Sequence, residues 1–174
     1  YGIFEATEVI VSAETNGRII QFDVTEGTAI EKGTTIATVD TTMLHLQKTE
    51  LYAGINSVKT RMSTIDSQNE ILNQQIANLN ININRISNML KDDAATRKQY
   101  DDLTGQVAVL QKQIAANNSQ KVSVGAELQV FASKMATLNE QLKRSHVKCP
   151  LTGTVLEKYA EAGEQTATGK PLAK

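Results

Sequence analysis

The chain has 174 residues with 18 basic and 19 acidic side chains, a net charge of −1, no tryptophan and 4% aromatic residues. This balance of charge provides no electrostatic field for nucleic acid or an anionic membrane surface, and the few aromatic residues favour an elongated molecule over one large core. The sequence has no run of about 20 apolar residues, so it predicts no membrane span. The single cysteine, Cys149, excludes an internal disulfide. Because the first residue is Tyr1 rather than methionine, we expect the chain to be a piece of a longer protein.

Glycine-rich segments at the two ends of the chain predict short strands. Residues 7–41 contain Val/Ile runs separated by Asn-Gly, Glu-Gly and Lys-Gly, and residues 146–174 repeat this arrangement 136 positions later. Tight turns between short strands need φ above zero, which glycine adopts at no steric cost. The glycines expected at structural turns are Gly17, Gly27, Gly33, Gly153, Gly163 and Gly169.

The two ends also match in their apolar residues. Ile19 corresponds to Val155, and Ile36 corresponds to Leu172, at the same offset as the glycines. Each end alone would leave an apolar face exposed to water. The two ends are therefore expected to pair into one small β-sandwich with a pseudo-twofold axis.

The segment between the ends predicts two long helices. Apolar residues recur at alternating intervals of three and four from Leu51 to Leu90 and again from Tyr100 to Leu142, which is the pattern of a coiled-coil seam. We expect an antiparallel hairpin over residues 42–145, with helix 1 at about 43–91, the tip at about 92–96 and helix 2 at about 97–145. Roughly 47 residues per helix at 1.5 Å per residue give a rod of about 70 Å.

Polar residues fix the expected register of this hairpin. Folding the helices back about the tip places Asn69 opposite Asn117, where the two amides would satisfy each other and disfavour slipped registers. The same register places Lys121 opposite Ile65 of helix 1, where the lysine must either extend toward solvent or mark a local loosening of the hairpin. Thr96, followed three residues later by Gln99, predicts a capping box at the start of helix 2.

Two motifs carry a resemblance to known families. The spacing Gly-x-Ile-x-x-x-x-Val-x-x-Gly-x-x-Ile-x-x-Gly, which runs from Gly17 to Gly33, resembles one half of a biotinyl or lipoyl domain. The sequence RISNMLKDDAATRKQYD resembles the hairpin tip of periplasmic adaptor proteins, the membrane fusion proteins of the HlyD family, which carries Arg, three residues, Leu, six residues and Ser. Arg85, Met89 and Thr96 occupy those three positions here. Split lipoyl halves around a coiled-coil hairpin make the whole chain similar to this family.

The resemblance implies an α+β fold. A lipoyl-like β-sandwich, the barrel-sandwich hybrid, would be formed by residues 7–41 and 146–174 and would carry the inserted hairpin. Residues 1–6 would be the edge of a truncated β-barrel domain. The resemblance also implies a protein that is not an enzyme and that has no cofactor or catalytic metal.

The resemblance further implies a function in transport. The chain would be the adaptor of a tripartite efflux pump or a type I secretion system, and its tip would bind a TolC-like outer-membrane channel through Arg85, Met89 and Thr96. Its other partner would be an inner-membrane transporter, for which the length of the rod favours the ABC type over a proton-driven pump. The chains would form a ring in the periplasm, by analogy a hexamer, and regions outside this chain would anchor the full-length protein to the inner membrane.

Two alternatives remain open from the sequence. A biotinyl or lipoyl carrier needs a modifiable lysine at the turn between its halves, but residues 40–43 contain none and Lys48 falls within the helical pattern. A coiled-coil adaptor from a single-membrane bacterium would keep the rod and need no outer channel. His45 and His146 are expected in structural or solvent-facing roles, because no cysteine or carboxylate at ligand spacing accompanies them.

Overall fold

The computed structural model describes residues 8–174, in which two long helices separate two sets of four short strands. The helices are α1 (Thr42–Lys91) and α2 (Arg97–Arg144). The strands are β1 (Val11–Ser12), β2 (Gly17–Phe22), β3 (Ala29–Ile30), β4 (Thr35–Val39), β5 (His146–Lys148), β6 (Gly153–Thr154), β7 (Gln165–Thr166) and β8 (Pro171–Ala173). The expected α+β fold with a helical insertion is confirmed. The expected domain edge at residues 1–6 lies outside the described residues.

Strand pairing joins the two ends of the chain. All of these pairs are antiparallel: β1 with β8, β4 with β5, β2 with β7 and β3 with β6. The register follows the repeat seen in the sequence, since Val11 lies opposite Ala173 and the corresponding Val147 lies opposite Ala37. Among the strands of residues 8–174, β2 and β4 are the only pair that lies within one half. The pairs that join the two halves therefore have the pseudo-twofold symmetry that the sequence predicts, whereas the pair of β2 with β4 has no counterpart between β6 and β8.

Turn glycines extend this symmetry to single hydrogen bonds. The Gly27 N–H donates to the Val155 carbonyl at 2.8 Å, and the Gly163 N–H donates to the Ile19 carbonyl at 2.7 Å. A second symmetric pair consists of Gly33 with Cys149 and Gly169 with Ala13, both at 2.8 Å. In each half, backbone N–H groups of the turns thus donate hydrogen bonds to carbonyl oxygens of the other half.

The turn prediction is wrong for two of the six glycines. Gly17 and Gly153 are the first residues of β2 and β6 rather than members of turns. Gly17 is needed for close packing, because a Cβ built on it would lie 2.6 Å from Val39 Cγ1 and its φ is 154°. Gly153 has no such φ, and its Cβ would lie 3.1 Å from Leu151 Cδ1. The glycines at positive φ in turns are Gly27, Gly33, Gly163 and Gly169.

The core of the β unit draws on both halves. Ile19 and Leu172 are fully buried at its centre, and the other members come from either end of the chain. These members are Ala13, Phe22, Val24, Ile36, Ala37, Val147, Val155, Ala160 and Ala173. Because burial of apolar surface is the main source of folding stability, neither half has a complete core without the other.

The second compact unit, Tyr52–Ala132, has the predicted helix register. The Asn117 side-chain amide donates to Asn69 Oδ1 at 2.9 Å, and the Asn69 amide donates in turn to Asn118 Oδ1 at 2.9 Å. The prediction that Asn69 and Asn117 share one layer is confirmed. Asn118 was not foreseen in this network, because it lies outside the seam in the sequence pattern.

Cross-helix ion pairs and one close contact lie on the far side of this layer from the tip. Lys121 extends from the seam, and its Nζ lies 2.5 Å from Asp66 Oδ1. Arg61 makes a two-pronged contact with Glu127, at 2.6 and 3.2 Å. A Cβ at Gly54 would lie 2.5 Å from the ring of Phe131, so this glycine lets the ring pack directly on α1.

Substitution of Gly17 should test the packing explanation for this residue. We expect Gly17→Ala to lower the stability of the β unit by about 1–3 kcal/mol, because the methyl group overlaps Val39. Gly153→Ala is the symmetry-matched control and should cost less, since its methyl group meets only the flexible end of Leu151. Amide hydrogen exchange of the β-strands measures both free energies of opening. Equal losses in the two variants would contradict the explanation.

A double-mutant cycle tests the coupling between the amides of Asn69 and Asn117 in the asparagine layer. Asn69→Leu should destabilise the hairpin by about 1–3 kcal/mol, because it leaves the Asn117 amide without its acceptor. Asn69→Leu combined with Asn117→Leu should recover that loss, since both polar groups are then removed together. Urea unfolding followed by the helical circular dichroism signal measures each variant. Additive losses in the double variant would show that the two amides are not coupled.

Candidate partner-binding site at the hairpin tip

The C-terminal end of α1 is closed by its own backbone. The Ala94 N–H donates to the Met89 carbonyl at 2.8 Å, and the Asp93 N–H donates to the Leu90 carbonyl at 3.3 Å. This is the Schellman arrangement, in which the residue after the helix adopts the left-handed conformation. Asp93 has that conformation, with φ of 53°, at a position that glycine usually occupies. The tip therefore turns sharply directly after Lys91.

The N-terminal end of α2 is closed by side chains. The Gln99 N–H donates to Thr96 Oγ1 at 3.3 Å, and the Thr96 N–H donates to Gln99 Oε1 at 2.9 Å. These reciprocal bonds are the capping box that the sequence predicts. Because both helix ends around the turn are hydrogen-bonded, the tip is an ordered structure rather than a loose loop.

The structure places the three predicted partner-binding residues on the surface of this tip. Arg85 and Met89 are exposed on α1 and are one helical turn apart, so they lie on one face of the helix. Thr96 is exposed beyond the turn, where its hydroxyl oxygen accepts the capping bond and its hydroxyl proton is left to donate. The structure thus groups Arg85 with Met89 and gives Thr96 a separate structural role.

Charged residues that the sequence analysis did not single out surround these positions. The Arg97 guanidinium lies 5.7 Å from the centre of the Tyr100 ring and 3.4 Å from Asp101 Oδ1. Lys91 Nζ donates to Asn88 Oδ1 at 3.2 Å. The spacing of Arg97 and Asp101 by four residues within a helix is the signal that could have revealed their pairing.

The junction between β4 and α1 is the position at which a carrier domain would present its lysine. Here Asp40 Oδ1 accepts the Thr42 N–H at 2.9 Å and so satisfies a donor at the start of the helix. The hydroxyl and backbone N–H of Thr42, together with the Arg18 guanidinium, hold the pKa of Asp40 below its ordinary value. Lys48 lies within α1, so it does not stand on a turn.

The two histidines do not form a metal site in the described part of the chain. His45 lies in the first turns of α1, and the His146 ring contacts the Thr38 hydroxyl at 3.5 Å. Within residues 8–174, no group of three histidine, cysteine or carboxylate side chains is placed to hold a metal ion. In the same residues, neither long helix has an apolar stretch that could cross a membrane.

Three solved structures have folds similar to that of this chain. The periplasmic adaptor protein EmrA aligns with 97% of this chain and 72% of its own length, with a TM-score of 0.59 and 14% identity. MacA from Actinobacillus actinomycetemcomitans aligns with 97% of this chain and 48% of its own length, with a TM-score of 0.56 and 16% identity. The soluble domain of LipC, a membrane fusion protein of a type I secretion system, aligns over 96% and 98%, with a TM-score of 0.54 and 14% identity.

This chain has the fold of membrane fusion and periplasmic adaptor proteins. The resemblance that the sequence suggests is therefore confirmed at the level of the fold. No protein-family model matches the sequence, and no curated protein matches it either. The chain spans about half of the length of the MacA structure.

Removal of the capping hydroxyl should loosen the tip of this adaptor-like hairpin. We expect Thr96→Ala to destabilise the first turn of α2 by about 1 kcal/mol, because the Gln99 N–H loses its acceptor. Thr96→Ser keeps the hydroxyl and should behave like the unsubstituted chain. Hydrogen exchange at the Gln99 amide measures the difference. Equal exchange rates in the two variants would contradict a capping role.

Proposed function

We propose that this chain is part of a non-enzymatic periplasmic adaptor subunit of a tripartite efflux pump or a type I secretion system. The adaptor links an inner-membrane transporter, of ABC type rather than proton-driven, to a TolC-like outer-membrane channel. The channel binds at the hairpin tip, the full-length protein is anchored to the inner membrane, and copies of the chain associate in a ring, by analogy a hexamer. The adaptor spans the distance between the transporter and the channel and seals the connection between them, while the transporter supplies the energy.

The observation that carries this proposal is the ordered tip within an adaptor fold. Both helix ends at the turn are hydrogen-bonded, through the Schellman arrangement at Asp93 and the capping box at Thr96. Arg85 and Met89 are held on a continuous helix immediately before this turn. A preorganised surface loses less conformational entropy on binding than a mobile loop does.

The chemistry of the three residues suits a groove between helices of a channel. The Arg85 guanidinium offers five N–H donors to carboxylates or backbone carbonyls. Met89 has a flexible, polarisable side chain that adapts to an apolar notch, and it is 38% exposed and so available for contact. The Thr96 hydroxyl adds one donor beside the turn. These residues supply a contact of mixed polar and apolar character.

The carrier alternative has no support at the position where it needs a lysine. Residues 40–43 are Asp40, Thr41, Thr42 and Met43, and the hydrogen bond between Asp40 and Thr42 commits this junction to starting a helix. Intact mass after co-expression with a biotin or lipoyl ligase gives a direct check. We expect an unmodified mass, and addition of one biotinyl or lipoyl group would favour the carrier function instead.

Photo-crosslinking in cells tests the channel contact. A benzophenone amino acid replaces Arg85, Met89 or Thr96 in the full-length protein, which is co-expressed with a TolC-like outer-membrane channel from the same organism. We expect covalent adducts with the channel from these positions. Ser67, which is exposed on α1 far from the turn, is the matched control and should give none.

The absence of channel adducts from all three tip positions in cells with active transport would overturn the channel contact. Such a result would favour the coiled-coil adaptor that needs no outer-membrane partner. Equal adducts from Ser67 and from the tip would also contradict the proposal, because the contact would then not be specific to the tip.

A further inference from the structure

The β unit contains a cavity of about 170 Å³ that reaches from its core to its surface. Buried core residues such as Val24, Ile36 and Val155 line it, and so do the exposed residues Thr152 and Leu156. In the described part of the chain, all of its lining residues belong to the compact unit that contains the strands. No tip position is among them, so this cavity is separate from the proposed channel contact.

Two antiparallel strand pairs hold the walls of this cavity in place. Val11 of β1 lies opposite Ala173 of β8, and Ile30 of β3 lies opposite Gly153 of β6, and all four residues line the cavity. The chain beyond β6 is fixed as well, since the Val155 N–H donates to the Thr28 carbonyl at 3.0 Å. Because hydrogen-bonded strands form these walls, the cavity is preformed and a ligand need not order a loop to enter it.

The lining consists mainly of valine, isoleucine, leucine and alanine side chains. Two polar groups within it already have hydrogen-bond partners. The Cys149 thiol donates to the Leu151 carbonyl at 3.0 Å, and the Thr152 hydroxyl oxygen accepts the Lys32 N–H at 3.1 Å. The surface that remains for a ligand is therefore chiefly hydrocarbon.

Comparison of the two halves shows that the fold does not require this apolar lining. At the offset of 136 residues, Ile30 corresponds to Thr166 and Leu151 corresponds to Thr15. Thr166 is only 5% exposed, so the other half accepts a hydroxyl even at a buried position. The apolar residues at these two places are thus a feature of the cavity alone.

Charge at the cavity is already balanced. Glu8 and Lys174 are the charged residues that line it within residues 8–174, and Glu8 Oε2 lies 2.7 Å from Lys174 Nζ. A charged ligand would find its possible counter-charge occupied by this pair. Because an unpaired charge is costly to bury against apolar side chains, the cavity favours a ligand without charge.

We propose that this cavity binds a small uncharged molecule with one hydrocarbon ring, such as a monocyclic aromatic compound. An apolar cavity of about 150 Å³ in another protein holds benzene, whereas sites for drug-sized ligands measure about 300–1,000 Å³. The size therefore suits a single ring. Binding releases water from hydrocarbon surface, where that water makes few hydrogen bonds, and this release is favourable.

Titration with toluene, followed by the methyl NMR signals of the chain, tests this site. We expect saturable shifts of the Val24, Ile30 and Ile36 methyl signals and nuclear Overhauser effects between these methyl groups and the ring protons. Val58 and Ile65 are buried in a separate cluster of the hairpin, so they are internal controls and should not shift. Benzoate has the same ring with a negative charge and should bind at least about tenfold more weakly.

Ile30→Thr makes the lining polar with the residue that stands at the corresponding position of the other half. The loss of hydrocarbon contact should weaken toluene binding by about three- to tenfold. Ile20→Thr is the matched control, because it makes the same change at an exposed position of β2 outside the lining, and it should leave the affinity unchanged. The dispersion of the methyl spectrum shows whether each variant is folded. Leu151→Thr replaces Ile30→Thr if the latter does not fold.

Each result of these measurements decides the inference. Saturable toluene shifts that are confined to the cavity methyl groups, and that need a higher concentration in Ile30→Thr, support the site. The absence of saturable shifts, or equal affinity for benzoate, overturns it. Equal shifts at Val58 and Ile65 would show unspecific partitioning into apolar regions. Equal weakening by Ile30→Thr and Ile20→Thr would show that toluene binds elsewhere on the β unit, which also overturns the proposal.

Discussion

Backbone donors in each half of the β unit find their acceptors in the other half. Gly27 bonds to Val155 and Gly163 bonds to Ile19, in symmetric positions, and the buried core is divided between the two ends in the same way. Because burial of apolar surface is the main source of folding stability and each end supplies only part of the core, neither end is stable alone. The two chain termini must therefore be brought together, and everything between them is a closed insertion.

This constraint explains why the inserted segment is a hairpin. A segment that leaves β4 and returns at β5 must reverse direction once, and β4 and β5 are neighbours in one sheet. Two antiparallel helices meet that requirement with a single turn. Asp40 starts the first helix directly after β4, and Ser145 ends the second directly before β5, with its N–H on the Gln141 carbonyl at 3.1 Å.

Periodic and local features could be predicted from the sequence, whereas features that depend on packing could not. The heptad seams, the asparagine layer and the Thr96 capping box each depend on a fixed spacing within one helix or one helix pair. Gly17 was misassigned to a turn because the side chain that requires a glycine there, Val39, is distant in sequence. At the tip, Asp93 takes a conformation typical of glycine, so the helix end carries no glycine to mark it. Arg85 and Met89 could be selected only through a family resemblance, since an exposed helix position has no distinctive pattern of its own.

The symmetric strand pairing also imposes an order of assembly on the nascent chain. β2 must wait for β7, and β1 must wait for β8, until both helices have left the ribosome, whereas the contacts near the tip join residues close in sequence. Contacts between residues distant in sequence form slowly because their loop must be closed first. A folded hairpin shortens that loop, because its two ends, next to Asp40 and Ser145, lie close together. Folding of the inserted hairpin thus favours formation of the β unit that the hairpin interrupts, because it shortens the loop that must be closed.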